Sequence, residues 1–411
     1  MTQNSGRLAL AFIFITVLAE TIGFGIILPV IPGLIVELTG TSLSKAALYG
    51  GWLGVVYALM QFLFAPVIGN LSDRYGRRPV LLFSLFVFGI DYLLMGFAPS
   101  IAWLFAGRMI AGIAGAAYTP AYAYVADVTP PERRAQNFGL LGAAFGIGFI
   151  VGPVIGGLLG EFGPRAPFFT AAALALANMI YGYIVLPETL PADRRRPFSW
   201  KRANTLGALA HLRRFPALTG LAGVLLLHML AHNALPSIWS FYTIEKFGWS
   251  PRDIGYSLGA VGILMAIVQG GLIRTVIPRI GAPRAAYIGL LLAALGFFGY
   301  AFATQGWFMY VFTVPAALMG LVMPSIQGIM SGIVPANAQG ELQGGMTSIS
   351  SLTAIVSPLF MTQLFGFFTS AAAPFHFPGA SFLAAALLEL AAFLLLARVI
   401  RAAATRSGNS S

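Results

Sequence analysis

The sequence predicts an all-α membrane protein of twelve transmembrane helices in two pseudo-symmetric six-helix bundles. Three observations carry that prediction: the composition, the spacing of long apolar runs, and a repeat relating the two halves. Of 411 residues, 58% are hydrophobic and 9% charged, against about a quarter charged in an ordinary soluble domain. A soluble fold has no means of hiding that much apolar surface. There is no cysteine, which excludes disulfides, thiolate nucleophiles and thiolate metal sites. The net charge of +11 does not point to nucleic acid, because the basic residues fall in short segments between apolar runs.

A helix needs about 20 apolar residues to cross roughly 30 Å of hydrocarbon. Runs of that length begin near Leu8, Ala46, Val80, Ile101, Asn137, Pro167, Ala217, Tyr256, Ala285, Trp307, Gly344 and Gly379. The segment from Leu8 lacks a small-residue cleavage site at signal-peptide distance, so it is expected to remain as span 1. An even number of spans puts both termini on one side. If that side is the cytoplasm, its segments hold 19 of the 24 lysines and arginines, against Lys45, Arg165, Lys246 and Arg252 on the other side and Arg108 inside a span. The positive-inside rule therefore predicts a multi-pass protein of the inner (plasma) membrane with both termini cytoplasmic.

The longest polar segment separates six spans from six. It divides the chain into an N-terminal bundle (residues 1–187), a cytoplasmic central loop (188–216) and a C-terminal bundle with a short cytoplasmic tail (217–411). A shift of 205 positions superposes Gly76 on Gly281, Pro130 on Pro335, Gly139 on Gly344 and Pro153 on Pro358, each at the same place relative to its span. Parallel repeats of this kind bind substrate between the halves and rock.

Between spans 2 and 3 the chain reads Gly69-Asn70-Leu71-Ser72-Asp73-Arg74-Tyr75-Gly76-Arg77-Arg78-Pro79. Read plainly, this is a basic turn on the positive side, with glycines for a tight turn and an aspartate suited to a helix N-terminus or an arginine. The whole run resembles the signature loop of the major facilitator superfamily, G-x-L-x-D-R-x-G-R-R-P. The resemblance implies that fold, and that Asp73 latches the cytoplasmic gate in one rocking state with Arg77 and Asp127 as electrostatic neighbours. Arg74 and Arg78 belong to the same loop. The matching loop of the second half, Arg274 to Arg284, has Pro278 where the aspartate would stand, so the switch is expected in the first half alone.

In span 5, Gly148, Gly152 and Gly156 share one face at spacing four, which lets membrane helices touch backbone to backbone. Gly152-Pro153 adds a pliable point. This run resembles the superfamily's antiporter motif, and further stretches such as Ile22 to Pro32 and Gln339 to Gly344 resemble the tetracycline/proton antiporter-like drug exporters. That branch implies a proton-coupled exporter of a small amphipathic compound. Two departures bear on the substrate: Met265 stands where the branch has a histidine in span 8, and Ala293 where it has an aspartate in span 9.

Charged residues placed well inside spans are Glu20, Asp91, Arg108 and Glu389, together with His228 and His232. Each costs several kcal/mol if buried alone, so each needs a partner, a wet cavity or a neutral form. Glu20 lies near mid-bilayer in span 1. Asp91 and Arg108 lie at matching depths in spans 3 and 4 and pair in this reading, and the three are the expected proton-coupling residues. Glu389 is read as snorkelling near the cytoplasmic end of span 12. His228 and His232, four apart on span 7, have no carboxylate nearby in sequence; hydrogen bonding in a cavity is expected, and no metal. Tyr57, Gln61, Tyr118, Asn233, Gln269 and Gln327, with Tyr122 and Trp239, complete the expected cavity lining, with helix packing as the alternative for each.

No cofactor is expected. The partners are a small amphipathic molecule, protons and the bilayer, and the protein is expected to be a monomer. A facilitative or proton-symporting importer of a small metabolite shares the fold. A membrane-embedded enzyme is the other alternative, against which stands the absence of H-E-x-x-H; G-x-x-x-x-G-K-[ST], the mark of ATP-driven export, is missing too.

Overall fold

The computed structural model describes residues 3–116, 118–130, 134–199, 216–335 and 338–408. Among them regular structure is entirely helical. Among the described residues twelve helices are long and apolar enough to cross a membrane: Leu10–Ile27, Leu43–Tyr75, Arg77–Gly96, Ile101–Val128, Asn137–Gly160, Ala166–Val185, Leu218–Phe247, Pro251–Ile280, Ala282–Phe302, Trp307–Ile333, Gln339–Phe368 and Ala380–Ala402, spans 1 to 12. Each starts within a few residues of the run read from the sequence, because hydrocarbon thickness sets the length and prolines or glycines set the ends. Many large apolar side chains face outward, among them Phe83, Tyr183, Ile184 and Leu394, as a lipid-facing surface requires.

The repeat survives in backbone detail. Gly76 and Gly281, joining spans 2 to 3 and 8 to 9, both hold positive φ, 107° and 83°, a conformation that a side chain resists. Pro153 and Pro358 both lie inside their helices.

Two compact units make up the chain. The first comprises Met1–Ser42, Trp52–Thr205 and Trp249–Gly262; the second comprises Leu43–Gly51, Leu206–Gly248 and Ile263–Ser411. In the first, spans 1, 3, 4, 5 and 6 enclose a core around Phe12, Ile13, Leu85, Tyr124 and Ala144. Spans 7, 9, 10, 11 and 12 enclose the core of the second around Val224, Leu290, Ile326, Met346 and Leu396.

Three helices of the second unit are irregular. Span 7 breaks at Asn233, between Pro216–His232 and Ala234–Phe247, where Pro236 removes a backbone donor. Span 8 carries a π turn at Val268–Leu272, and span 10 a 3-10 turn at Leu318–Leu321, flanked by Pro315 and Pro324. Such interruptions within membrane helices collect at functional sites, where protein or cavity water answers the freed backbone groups.

Candidate functional site: the switch loop and two polar centres

Arg77 organises the loop between spans 2 and 3. Its Nη1 donates to Asp73 Oδ1 at 2.7 Å and to Ser72 Oγ at 3.2 Å, and its Nε donates to Asp127 Oδ2 at 3.2 Å. The expected neighbours of Asp73 are thus in place. The helix N-terminus at Arg77 belongs instead to Glu188, whose Oε1 accepts from the Arg77 amide at 2.9 Å and whose Oε2 accepts from the Arg78 amide at 3.2 Å. A carboxylate there answers orphan donors and meets the positive end of the helix. Glu188 sits so close to Gly76 that a Cβ would strike it. Arg78 Nη2 donates to the Tyr183 carbonyl at 2.6 Å, Arg74 lies over the Tyr75 ring, and the Arg196 amide donates to the Asp73 carbonyl at 3.0 Å. Gly69 lies within the span 2 helix. The whole assembly fastens the adjoining ends of spans 2, 3, 4 and 6.

The glycine face of span 5 packs on span 1. A Cβ on Gly148 would meet Thr21 and the Leu18 carbonyl, on Gly152 the Ile22 carbonyl and Gly25, and on Gly156 the Ile26 backbone. On its other side the helix meets the opening of span 8, where Gly255 abuts the Pro153 carbonyl and Gly157. Gly152→Val should therefore lower the stability of the purified protein by about 1–3 kcal/mol through overpacking, read as a lower thermal midpoint in detergent. Gly146→Ala, whose added Cβ meets nothing within 4 Å, is expected to leave the midpoint unchanged or slightly raised.

Two carboxyl groups of the first unit lie within membrane spans, Asp91 buried and Glu20 partly exposed. Asp91 is fully buried, and its Oδ2 lies 3.8 Å from Arg108 Nη2. Neither carboxylate oxygen of Asp91 accepts a hydrogen bond, while the same Arg108 nitrogen reaches Met95 Sδ at 3.1 Å. The pair predicted from matching depths exists, held loosely. Arg108 also lies over the Tyr57 ring at 5.7 Å, and Gln61 donates to the Gly115 carbonyl at 3.2 Å. Glu20 lines a small cavity with Phe88, Tyr92 and Asn178, of about 10 Å³, the room of one water. Tyr92 adjoins Asp91 in sequence, so the two carboxylates share a neighbourhood in spans 1 and 3.

In the second unit His228, His232 and Gln269 line one cavity of about 390 Å³, together with Met229, Met265, Met319 and Met323. The irregular segments explain why it exists. His232 ends the first half of span 7, Gln269 sits in the π turn, and Met319 in the 3-10 turn. Methionine thioethers make such a wall adaptable. Asn233 and Gln327 do not line it; Asn233 donates back to the Met229 carbonyl at 2.8 Å. Trp239 is buried in an aromatic cluster with Tyr300 and Phe382, which is packing. The side chain of Tyr118 lies outside the described residues.

Glu389 corrects the sequence reading. It does not snorkel: it is fully buried, and its two carboxylate oxygens lie 3.0 and 3.1 Å from His228 Nδ1. Span 12 starts at Ala380, so Glu389 is about 14 Å along a helix rising 1.5 Å per residue, too deep for its short side chain to reach water. Among the described residues no group of three or more His, Asp or Glu gathers for a metal. Sequence reasoning missed Glu188 and Met319 as well. Glu188 had a signal, a lone acid immediately after span 6 beside a strongly basic segment; the methionine had none.

Twelve membrane helices in a duplicated backbone, a charged loop fastening their ends and polar centres at bilayer depth define a membrane transporter. The chain belongs to the Major Facilitator Superfamily, whose sequence pattern matches residues 13–358. It is 40% identical over 357 residues to the class C tetracycline resistance protein of Escherichia coli, covering 87% of this chain and 89% of that one, and 33% identical to the class B protein of the same organism over 88% and 89%. Among solved structures it resembles the human organic anion transporter MFSD10 (TETRAN), with a TM-score of 0.69 and 26% identity over 95% of this chain and 99% of that one. A bacterial homologue of the human lysosomal transporter Spinster, inward-facing and occupied, superposes at a TM-score of 0.78 with 16% identity over 98% of each chain, and supports the fold.

Proposed function

We propose that the protein is a proton-coupled antiporter that exports an amphipathic, drug-like compound from the cytoplasm by alternating access. The observation that carries this is Arg77 bridging Asp73 and Asp127 in the signature loop, in a chain 40% identical to a tetracycline resistance protein. In this reading residues 1–187 and 217–411, related by an axis along the membrane normal, rock against one another, joined by the cytoplasmic loop 188–216, with both termini in the cytoplasm and a monomer as the working unit. The work is transport and not catalysis. Glu20 and Asp91 carry protons, Arg108 tunes Asp91, and the methionine-walled cavity of His228, His232 and Gln269 supplies part of the substrate site. The basic residues assigned to the far side support the orientation: Arg165 pairs with Glu37 at 3.0 Å and Lys246 donates to the Ala301 carbonyl at 3.1 Å, so each is spent on local structure.

Uptake into everted vesicles under an imposed pH gradient, across cationic, zwitterionic and neutral drugs, tests the reading. Accumulation of none of them in the direction of proton exchange would overturn it. Tetracycline itself is expected to be a weak substrate, because Met265 offers that cavity a thioether with neither charge nor a strong hydrogen bond, and Ala293 is fully buried in the core. Expression in a sensitive host should raise tetracycline tolerance less than about tenfold, equivalent to about 1.4 kcal/mol of lost discrimination. High-level resistance with direct uptake into everted vesicles would show otherwise.

A further inference from the structure

Spans 7 and 12 bring His228 and Glu389 together at mid-membrane, and His228 also lines the cavity. We propose that this pair is a proton-operated switch in the cavity wall, and that the compound it admits presents a hydrogen-bond donor, such as a protonated amine or a phenol, to His228. The inference rests on the proposed export function and assigns chemistry to one wall of its site.

One ring nitrogen of His228 changes its role with the proton count of the pair. Glu389 engages Nδ1 with both carboxylate oxygens, leaving Nε2 as the remaining polar atom of the imidazole. With the carboxylate ionised and the ring neutral, Nδ1 holds the ring proton and Nε2 is an acceptor; the pair carries one negative charge. Adding one proton leaves the pair with no net charge and admits two arrangements that leave no carboxyl O–H without an acceptor in the pair. Either the ring is an imidazolium facing a carboxylate, or Nδ1 accepts from a protonated carboxyl. In both, Nε2 carries a hydrogen and has become a donor. The polarity offered to the cavity therefore inverts in either arrangement. A donor-bearing compound fits the state without the added proton, and loses its acceptor when that proton arrives. Compound and proton exclude one another at this wall, as exchange requires.

His232 is the titratable neighbour nearest the pair in span 7. One turn along span 7 is His232, its ring centroid 6.2 Å from that of His228. On span 9, Tyr287 packs on Phe393 of span 12, one turn beyond Glu389, while Tyr300 lies among Trp239 and Phe382 toward the other end. Arg398 and Arg401 of span 12 stand about 14–18 Å along the helix. Span 10 presents no charged side chain, the charges of span 8 are Arg252, Asp253, Arg274 and Arg279 near its ends, and Glu341 and Arg284 lie in the first turns of spans 11 and 9.

The test is magic-angle-spinning ¹⁵N spectroscopy of the full-length, histidine-labelled protein in lipid bilayers, with His228 identified by its loss in His228→Gln. Between about pH 5 and pH 9, both ring nitrogens of His228 should titrate together. Glu389→Gln should displace the midpoint by about one pH unit or more; Glu389→Asp, which keeps an acid, should restore it, and serves if the amide variant fails to fold. At a fixed pH above the midpoint, ethidium, a planar cation with two aromatic amines, should move the Nε2 resonance of His228, and tetraphenylphosphonium, a cation without a donor, should not. A His228 signal constant over the whole range, or one indifferent to residue 389, overturns the switch and leaves the export reading standing. Titration as expected with neither probe moving His228 overturns the donor assignment. Drug accumulation absent in vesicles while the titration persists points instead to failure of the export reading.

Discussion

Asp73→Asn is expected to reach the membrane in normal amounts and to lose most transport. Arg77 holds Asp73 and Asp127 at once, with Arg77 itself 11% exposed and the two acids about a third exposed, at 32% and 30%. Exposed pairs of this kind contribute at most about 1 kcal/mol to stability, so the fold tolerates the change. Their weight falls on the balance between two states that differ in whether spans 2, 3 and 4 are fastened. Removing an interaction of that size from one state alone displaces the balance by up to about fivefold, and turnover should fall by a comparable factor. Replacing Arg77 by Gln should do at least as much, since it frees both acids together. Initial rates of drug uptake in everted vesicles, normalised to protein by immunoblot, measure it. Wild-type turnover in Asp73→Asn would remove the latch from the mechanism.

Glu20→Gln is expected to uncouple the protein. The amide keeps the shape of the side chain and cannot give up a proton. Glu20 faces a cavity with room for about one water, beside Tyr92 and Asn178, and among the described residues it has no ion-pair partner. Asp91 has one in Arg108. A lone carboxyl that meets water in one state and a closed interface in the other exchanges its proton as the halves rock. One proton moving through about 100 mV contributes roughly 2.3 kcal/mol, which sustains a gradient of about fiftyfold for an uncharged substrate. Glu20→Gln should retain binding and downhill exchange and lose that accumulation. Full pH-driven accumulation in the variant would move the role to Asp91.

Much of this was legible in the sequence, for identifiable reasons. Span positions follow from hydrocarbon thickness, which every helix must match alone, so local apolar length suffices. The signature loop was readable because Asp73 and Arg77 are four apart on the chain and their contact is nearly local. Asp91 and Arg108 could be paired because the turn between spans 3 and 4 is short, and depth follows from counting. His228 and Glu389 stand 161 positions apart, and no count along the chain brings spans 7 and 12 together. Glu389 was misread through its depth, since an acid ten residues into a helix has no stem long enough for the surface. The capping role of Glu188 was hidden likewise, because span 6 returns beside span 3 only in three dimensions.

The backbone interruptions in spans 7, 8 and 10 bear on how a compound is held. A membrane helix that leaves its regular ladder releases carbonyl and amide groups, and hydrocarbon offers them nothing. On the proposed reading of the cavity of His232, Gln269 and Met319 as part of the substrate site, water stands in for a ligand when it is empty, and an arriving compound displaces it. Affinity is then governed by how many of those released backbone groups the compound satisfies, set against the water it removes. Exchanging one methionine of the wall for another apolar residue should alter the breadth of compounds accepted more than the tightness with which the best of them is bound.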